Sequence, residues 1–327
     1  MTIGTDVSQA LRRAAVRATL APSVHNTQPW RLVLSSSVLE VWADPTRQLP
    51  VLDPSGRQLS ISCGCALFNA RVALAAAGWA VVVERLPDPH QPRLLARLTM
   101  TGRAEAGSEI AALDPVLELR RTNRRQFAPE PVAEDVIEAL IRAAAAEGAG
   151  LHRLRDELQR ISTAVLSQRA DALQQANPAY RAELRAWTTD NPDRKDGVPM
   201  AAVPHTGPAS YDDVPIRDFD TDGHGGLPSG TSSSVDQCLL VLSSASDNAL
   251  AWLRAGEGLE RALLELTREG YVAGILSQIG EVPSVRAQLR MELGLAEHPH
   301  MLLRVGRAPL TPATRRRRLV DVLVEQL

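Results

Sequence analysis

Two stretches of this chain carry side chains whose types and spacing could do chemistry. The first is Ala21-Pro22-Ser23-Val24-His25-Asn26-Thr27-Gln28-Pro29-Trp30. Its two prolines fix the backbone at both ends and bias the residue before each away from helix. Between them Ser23, His25, Asn26 and Gln28 can each donate and accept hydrogen bonds. A simple connector needs a few turn residues; this density of polar groups at set angles suits a grip on a flat polar ligand. The second stretch is Arg120-Arg121-Thr122-Asn123-Arg124-Arg125-Gln126-Phe127. Guanidinium forks match phosphate oxygens, and charge-assisted hydrogen bonds are roughly twice as strong as neutral ones. Taken alone, such a run also fits a solvated helix end, where cations favour the C-terminal dipole.

Other chemistries find less support. The cysteines, Cys63, Cys65 and Cys238, do not form a disulfide framework, and Cys63-Gly64-Cys65 is one residue short of the common redox spacing. Buried packing ahead of an alanine-rich helix is the expected role. His298-Pro299-His300 has poor ligand spacing and no cysteine or carboxylate partner at the usual intervals, so no metal is expected. There is no glycine-rich dinucleotide fingerprint and no nucleophile elbow. A net charge of −2 and 3% aromatic residues argue against nucleic acid and anionic membrane as partners. No apolar run approaches the ~20 residues that span a bilayer, and Met1–Gln9 lacks a signal peptide's apolar stretch. A cytoplasmic protein is expected.

The elements that must position the two stretches follow from pattern. The 327 residues, 44% hydrophobic, suffice for one large domain or two ordinary ones. Residues 7–20, apolar at Leu11, Ala14, Ala15 and Ala18 with arginines between, predict an amphipathic helix entering the first stretch. Arg31–Ser35 and Val38–Ala43 leave it as a hairpin. Ser60–Gly78 predicts a narrow, small-residue helix. Trp79–Glu84 and Leu94–Met100 predict strands. Ser108–Arg120 reads as a helix broken at Pro115 that delivers the arginines. Pro129–Glu147 predicts a helix with Pro131 in its first turn and Gly148 at its end. Two helices, Leu158–Ala176 and Ala179–Thr188, meet at Asn177-Pro178. Residues 190–234 are rich in proline and glycine yet beaded with Val198, Met200, Val203, Tyr211, Val214, Ile216 and Phe219. So long an irregular segment in a compact protein is usually functional or disordered, and a lid is expected. Cys238–Ser243 and His300–Val305 predict strands, and Ala249–Gly270 and Ser284–Leu293 helices. The tail pairs a basic run, Arg315–Arg318, with apolar Leu319, Val320, Val322 and Leu323, as in a docked C-terminal segment.

An internal repeat is visible. Leu32-Val33-Leu34-Ser35-Ser36 recurs as Leu240-Val241-Leu242-Ser243-Ser244, Gly78-Trp79 as Gly270-Tyr271, and Gly102-Arg103-Ala104 as Gly306-Arg307-Ala308. The matches keep their order and nearly their spacing.

The Ala21–Trp30 stretch resembles the A-P-S-x-x-N-x-Q-P-W loop of the flavin-dependent nitroreductases, and Arg120–Phe127 resembles their Arg-Arg-Ser-x-Arg arm. Over nearly its whole length the chain is similar to the mycobacterial Acg branch of that family. The resemblance implies an α+β, nitroreductase-like fold of mixed antiparallel sheets wrapped by helices, with FMN as cofactor. In ordinary members the arm precedes the loop, and FMN lies between the arm of one subunit and the loop of the other. Here the order is reversed. With the repeat, that implies a tandem duplication: a first half, 1–112, with the loop, and a second, 113–327, with the arm and the 190–234 insertion. One intact site and one degenerate site would lie in a monomeric pseudo-dimer.

By the same resemblance Arg120, Arg121, Thr122 and Arg124 would hold the FMN phosphate, with Arg304 and Arg307 as further ligands. Ser23, Asn26 and Gln28 would bind the isoalloxazine edge and ribityl hydroxyls. Pro22 and Val24 would supply backbone groups and apolar cover. His25 stands at a variable position of the motif, open to a ligand-binding or a structural role. The implied activity passes a hydride from NAD(P)H to flavin and on to a small nitro or quinone acceptor, with NAD(P)H bound transiently. The alternative is a protein whose insertion closes the site, so that it binds or sequesters FMN with little turnover.

Overall fold

The computed structural model describes residues 3–104, 107–205, 214–219, 225–228 and 237–326. In chain order the first part comprises α1 (Ile3–Ala18), β1 (Trp30–Ser35), β2 (Val38–Ala43), α2 (Arg57–Ala76), β3 (Trp79–Arg85) and β4 (Leu94–Arg103). After a 3-10 turn over Glu109–Val116 come α3 (Glu134–Ala146), β5 (Gly150–Arg153), α4 (Glu157–Gln175) and α5 (Pro178–Ala186). Two short strands follow, β6 (Thr188–Thr189) and β7 (Val198–Pro199). The last part comprises β8 (Cys238–Ser244), α6 (Ala249–Arg268), β9 (Val272–Leu276), α7 (Gln278–Glu281), α8 (Pro283–Glu292) and β10 (His298–Gly306). The chain ends with α9 (Leu319–Val322) and β11 (Leu323–Glu325).

The strands form two principal sheets, ordered β11-β1-β2-β4-β3 and β5-β8-β10-β9. Leaving out β11, every pairing in both is antiparallel. Each sheet has its first strand preceded by a helix (α1 or α3), its second followed by a long helix (α2 or α6), and the same strand order thereafter. The glycine-aromatic and Gly-Arg-Ala matches fall at equivalent places in the two. Gly78 and Gly270 have φ of 74° and 75°, a region glycine enters without steric cost. Beside them the Arg103 guanidinium lies 3.8 Å from the Trp79 ring centroid and that of Arg307 4.5 Å from Tyr271. The Leu-Val-Leu-Ser-Ser match falls instead on β1 and β8, which hold different positions in their sheets. Short β-rich strings recur easily because both strands bury the same apolar face.

The core is continuous between the two sheets, and α2 crosses α6 at its centre. The crossing explains the small residues in α2. A Cβ on Gly64 would stand 2.1 Å from the Leu253 carbonyl oxygen, and one on Gly256 2.0 Å from that of Ile61. Cys63 and Cys65 are buried in the same helix and Cys238 at the start of β8; all three are free. The helix Arg57–Ala76 is also long and apolar enough to cross a membrane, which corrects the expectation that no run reaches that length, but 83% of its apolar window is buried within the protein.

Three expected elements differ in detail. The segment ahead of the arginines is a 3-10 turn rather than an α-helix, since Pro115 cannot donate to a helical ladder. Helix α3 starts at Glu134, so Pro131 precedes it, while Glu134 and Asp135 occupy the acidic first turn. The C-terminal tail docks as expected but also adds a strand: Val322 joins the core, and β11 pairs in parallel with β1, Leu32 to Leu323 and Leu34 to Glu325. The last residues therefore complete the first sheet. Of the insertion, residues 206–213, 220–224 and 229–234, including Tyr211, lie outside the described residues.

Candidate functional site

The loop after α1 holds an unusual backbone. His25, Asn26 and Gln28 have φ of 47°, 56° and 50°, left-handed values uncommon for residues with a side chain. Local bonds hold it there. Asn26 N donates to Ser23 O at 3.0 Å, Thr27 N to Val24 O at 2.9 Å, and Gln28 N to Ser23 Oγ at 2.9 Å. Val24 N donates to Ser62 Oγ of α2 at 3.2 Å. Trp30 lies fully buried beneath.

The arginine stretch is laid along the edge of the second sheet. Thr122 bridges Ala273 of β9, Asn123 N donates to Ala273 O at 2.8 Å, and Asn123 Nδ2 to Pro309 O at 2.8 Å. The 3-10 turn before it packs on α2 and α6. Loop and arm, about a hundred residues apart in sequence, thus face one cavity.

Nine of the twelve expected residues line that cavity: Pro22, Ser23, Val24, His25, Asn26, Arg120, Arg121, Thr122 and Arg124. The other three are spent elsewhere. Gln28 Nε2 donates to Lys195 O at 2.9 Å, and its Oε1 accepts from Arg317 N at 2.8 Å. Arg304 donates to Val214 O at 2.5 Å. Arg307 stacks on Tyr271 beside a separate surface groove. Asn26, although in the wall, is engaged as well: its Nδ2 donates to Gly197 O at 2.9 Å and to Arg315 O at 3.1 Å. The two amides therefore fasten the insertion and the tail to the loop.

Two further cations reach the cavity from places that pattern alone does not mark. Arg316 arrives on the tail. It donates to Asn26 Oδ1 at 3.1 Å and to the Leu20 and Ala21 carbonyls at 3.2 and 3.3 Å. Arg217 arrives on the insertion, with Val198, Ala202, Ile216 and Phe219 beside it in the wall. Its Nη2 reaches both Glu281 oxygens at 2.7 Å, and it also donates to the Tyr180 hydroxyl. A basic run read as a tail and one arginine among apolar beads gave no signal that either would converge here.

The cavity is electropositive. Burial pushes Arg316 down to about 9, helped by Arg120 and Arg121, and Arg124 down to about 10, helped by Arg217. Both keep some accessible surface, which the cavity they line accounts for. Arg121 is lowered by burial and by Arg120. Arg217 is raised: Glu281 and Tyr180 more than offset the burial that works against its charge. The Arg120 Nε lies 3.5 Å from Glu260 Oε1, and burial holds that carboxyl up at about 7. Among the described residues, Arg120 Nε and Nη1, Arg316 Nε and both His25 ring nitrogens are buried without a hydrogen-bond partner. Clustered guanidiniums with donors to spare are the chemistry of an oxyanion site. The described residues contain no group of three or more potential metal ligands.

No protein-family model matches the chain. Two proteins of Mycobacterium tuberculosis that carry the name Putative NAD(P)H nitroreductase match over nearly their full length. Rv3131 is 34% identical over 322 residues, covering 97% of this chain and 91% of its own. The protein named acg is 33% identical over 332 residues, covering 98% and 96%. Among solved structures, an FMN-bound nitroreductase from Bacteroides fragilis is 14% identical, with 62% of this chain and 94% of that one covered and a TM-score of 0.38. The FMN-dependent nitroreductase NfnB of Mycobacterium smegmatis, in complex with NADPH, is 16% identical, with 61% and 89% covered and a TM-score of 0.35.

Proposed function

The chain belongs to the family of those mycobacterial NAD(P)H nitroreductases, and from that premise we propose that it is an FMN-dependent NAD(P)H oxidoreductase of nitroreductase type. The observation that carries the reading is the single cavity in which the 22–26 loop faces Arg120, Arg121, Arg124 and Arg316. Its free donors and surplus positive charge fit a phosphate dianion, with Thr122 as a neutral donor. The apolar remainder, including Val24, Ile61, Ile216, Phe219, Ile275 and Met301, fits a flat ring system. FMN, when bound, supplies the two-electron chemistry that links NAD(P)H to an acceptor. For a quinone the balance is one NAD(P)H and one proton consumed per hydroquinone formed. The protein's share is to anchor the phosphate, exclude water and hold positive charge near the ring.

The reading extends to the architecture. The matching strand order and the repeated Gly-aromatic-Arg arrangement support a duplicated unit, with the halves meeting at the α2–α6 crossing. Such a chain holds one site without a second copy, as a monomer.

A second reading has its own support: five described residues of the 190–234 insertion line the cavity, and Asn26 and Gln28 fasten the stretch beside them. A lid so tied would favour FMN storage over turnover. Anaerobic addition of NADPH to the purified yellow protein separates the two. Bleaching within seconds supports the reductase. Absorbance that persists until dithionite is added supports storage, and a colourless protein that takes up no FMN overturns both.

A further inference from the structure

His25 is the least explained polar group in the cavity. The residue is 6% exposed, and neither ring nitrogen has a partner among the described residues. An unmade hydrogen bond of this kind costs about 1–3 kcal/mol. The same protein shows what a structural histidine does instead. His300 is fully buried, with Nε2 2.7 Å from Ser244 Oγ and Nδ1 3.5 Å from Arg286 Nη2. His25 also sits at φ 47°, and strained backbone of this sort gathers at ligand clamps.

Its surroundings define what it can bind. The ring meets Phe219 edge-on, with centroids 5.3 Å apart and planes at 78°, which fixes the imidazole against an aromatic wall. The Arg124 guanidinium lies 5.0 Å from the same Phe219 ring. Burial, with Arg217 and Arg124 nearby, keeps the imidazole uncharged, so it presents one N–H donor and one lone pair rather than a cation. Anionic groups are served by the guanidiniums; the imidazole suits an uncharged oxygen on an aromatic ring.

We propose that His25 is a specificity-determining residue, donating a hydrogen bond from its imidazole to a quinone or nitro oxygen of the aromatic electron acceptor, whose ring rests by Phe219. The assignment rests on the FMN-dependent reductase reading above.

The test uses the purified, flavin-loaded protein and no reductant. Oxidised protein is titrated calorimetrically with 2-methyl-1,4-naphthoquinone, and FMN occupancy is read from the visible spectrum. His25→Phe keeps an aromatic ring but removes the donor; compared at equal FMN occupancy, it should weaken quinone binding about five- to tenfold. His25→Gln, whose amide can still donate, should recover most of the affinity. His25→Gly accepts the left-handed backbone without strain and should match His25→Phe, which keeps the test decisive if the phenylalanine variant does not fold. Flavin-loaded variants that bind quinone like the parent overturn the inference alone. Variants that lose FMN assign His25 to the cofactor and also overturn it. A parent protein that holds no flavin removes the functional reading, and this inference with it.

Discussion

The guanidiniums around the cavity differ in what they have left to offer. Arg217 is committed to Glu281, and most donors of Arg316 are taken by carbonyls and Asn26, whereas Arg120 keeps Nε and Nη1 without a hydrogen bond. Removing one charged donor to a phosphate typically costs about 1.5–3 kcal/mol. Arg121→Ala should therefore weaken FMN retention about 10- to 100-fold in dialysis or ultrafiltration, while Arg315→Ala, whose side chain is exposed, should retain FMN like the parent. Glu260 offers a pH test. Its carboxyl is held up at about 7, first by burial, so the folded state binds the proton more tightly than the unfolded chain. This contribution to stability is full at low pH and is lost as pH rises through about 7. The melting temperature of Glu260→Gln relative to the parent should thus climb between pH 5 and pH 8; a flat difference would contradict the assignment. At this scale the two motifs were legible because their residues are contiguous. Arg316 and Arg217 were not, since each owes its place to a pairing made far away, by β11 in one case and Glu281 in the other. The hydrogen bonds by which Asn26 and Gln28 tie the insertion and the tail to the loop were hidden for a related reason, their partners lying far along the chain.

Helices and strands were largely readable from periodicity. The amphipathic α1, the small-residue α2 and the Gly148 terminator of α3, at φ 82°, follow from local pattern. What pattern could not convey was which helices touch. The α2–α6 crossing depends on two glycines almost two hundred residues apart, each leaving room for the other's backbone. Gly64→Ala and Gly256→Ala should each destabilise by about 1–3 kcal/mol or more, measured by urea unfolding. Gly107→Ala, where an added Cβ meets nothing within 4 Å, should be close to neutral. Because the glycines face one another, the double variant should cost less than the two single costs added together.

For the whole molecule, the reversal of loop and arm along the chain becomes intelligible once both open onto one cavity. A chain of 35.3 kDa that supplies both sides itself should bind one FMN per polypeptide and elute as a monomer. Two flavins per chain, or flavin held only by a dimer, would contradict the pseudo-dimer reading. The matching strand order of the two sheets was less legible than the short sequence matches, because one of the three fell on non-equivalent strands. Only the pairing register separates the true correspondence from two strands that merely share an apolar face.

Strand β11 follows every other described strand in the chain yet borders β1, the first of them. During synthesis β1 therefore waits with an open edge, and Arg316 is not yet available to close the cavity. Flavin loading then has to wait for residue 316, and a nascent chain stalled before that position should emerge without colour however well its earlier part has folded.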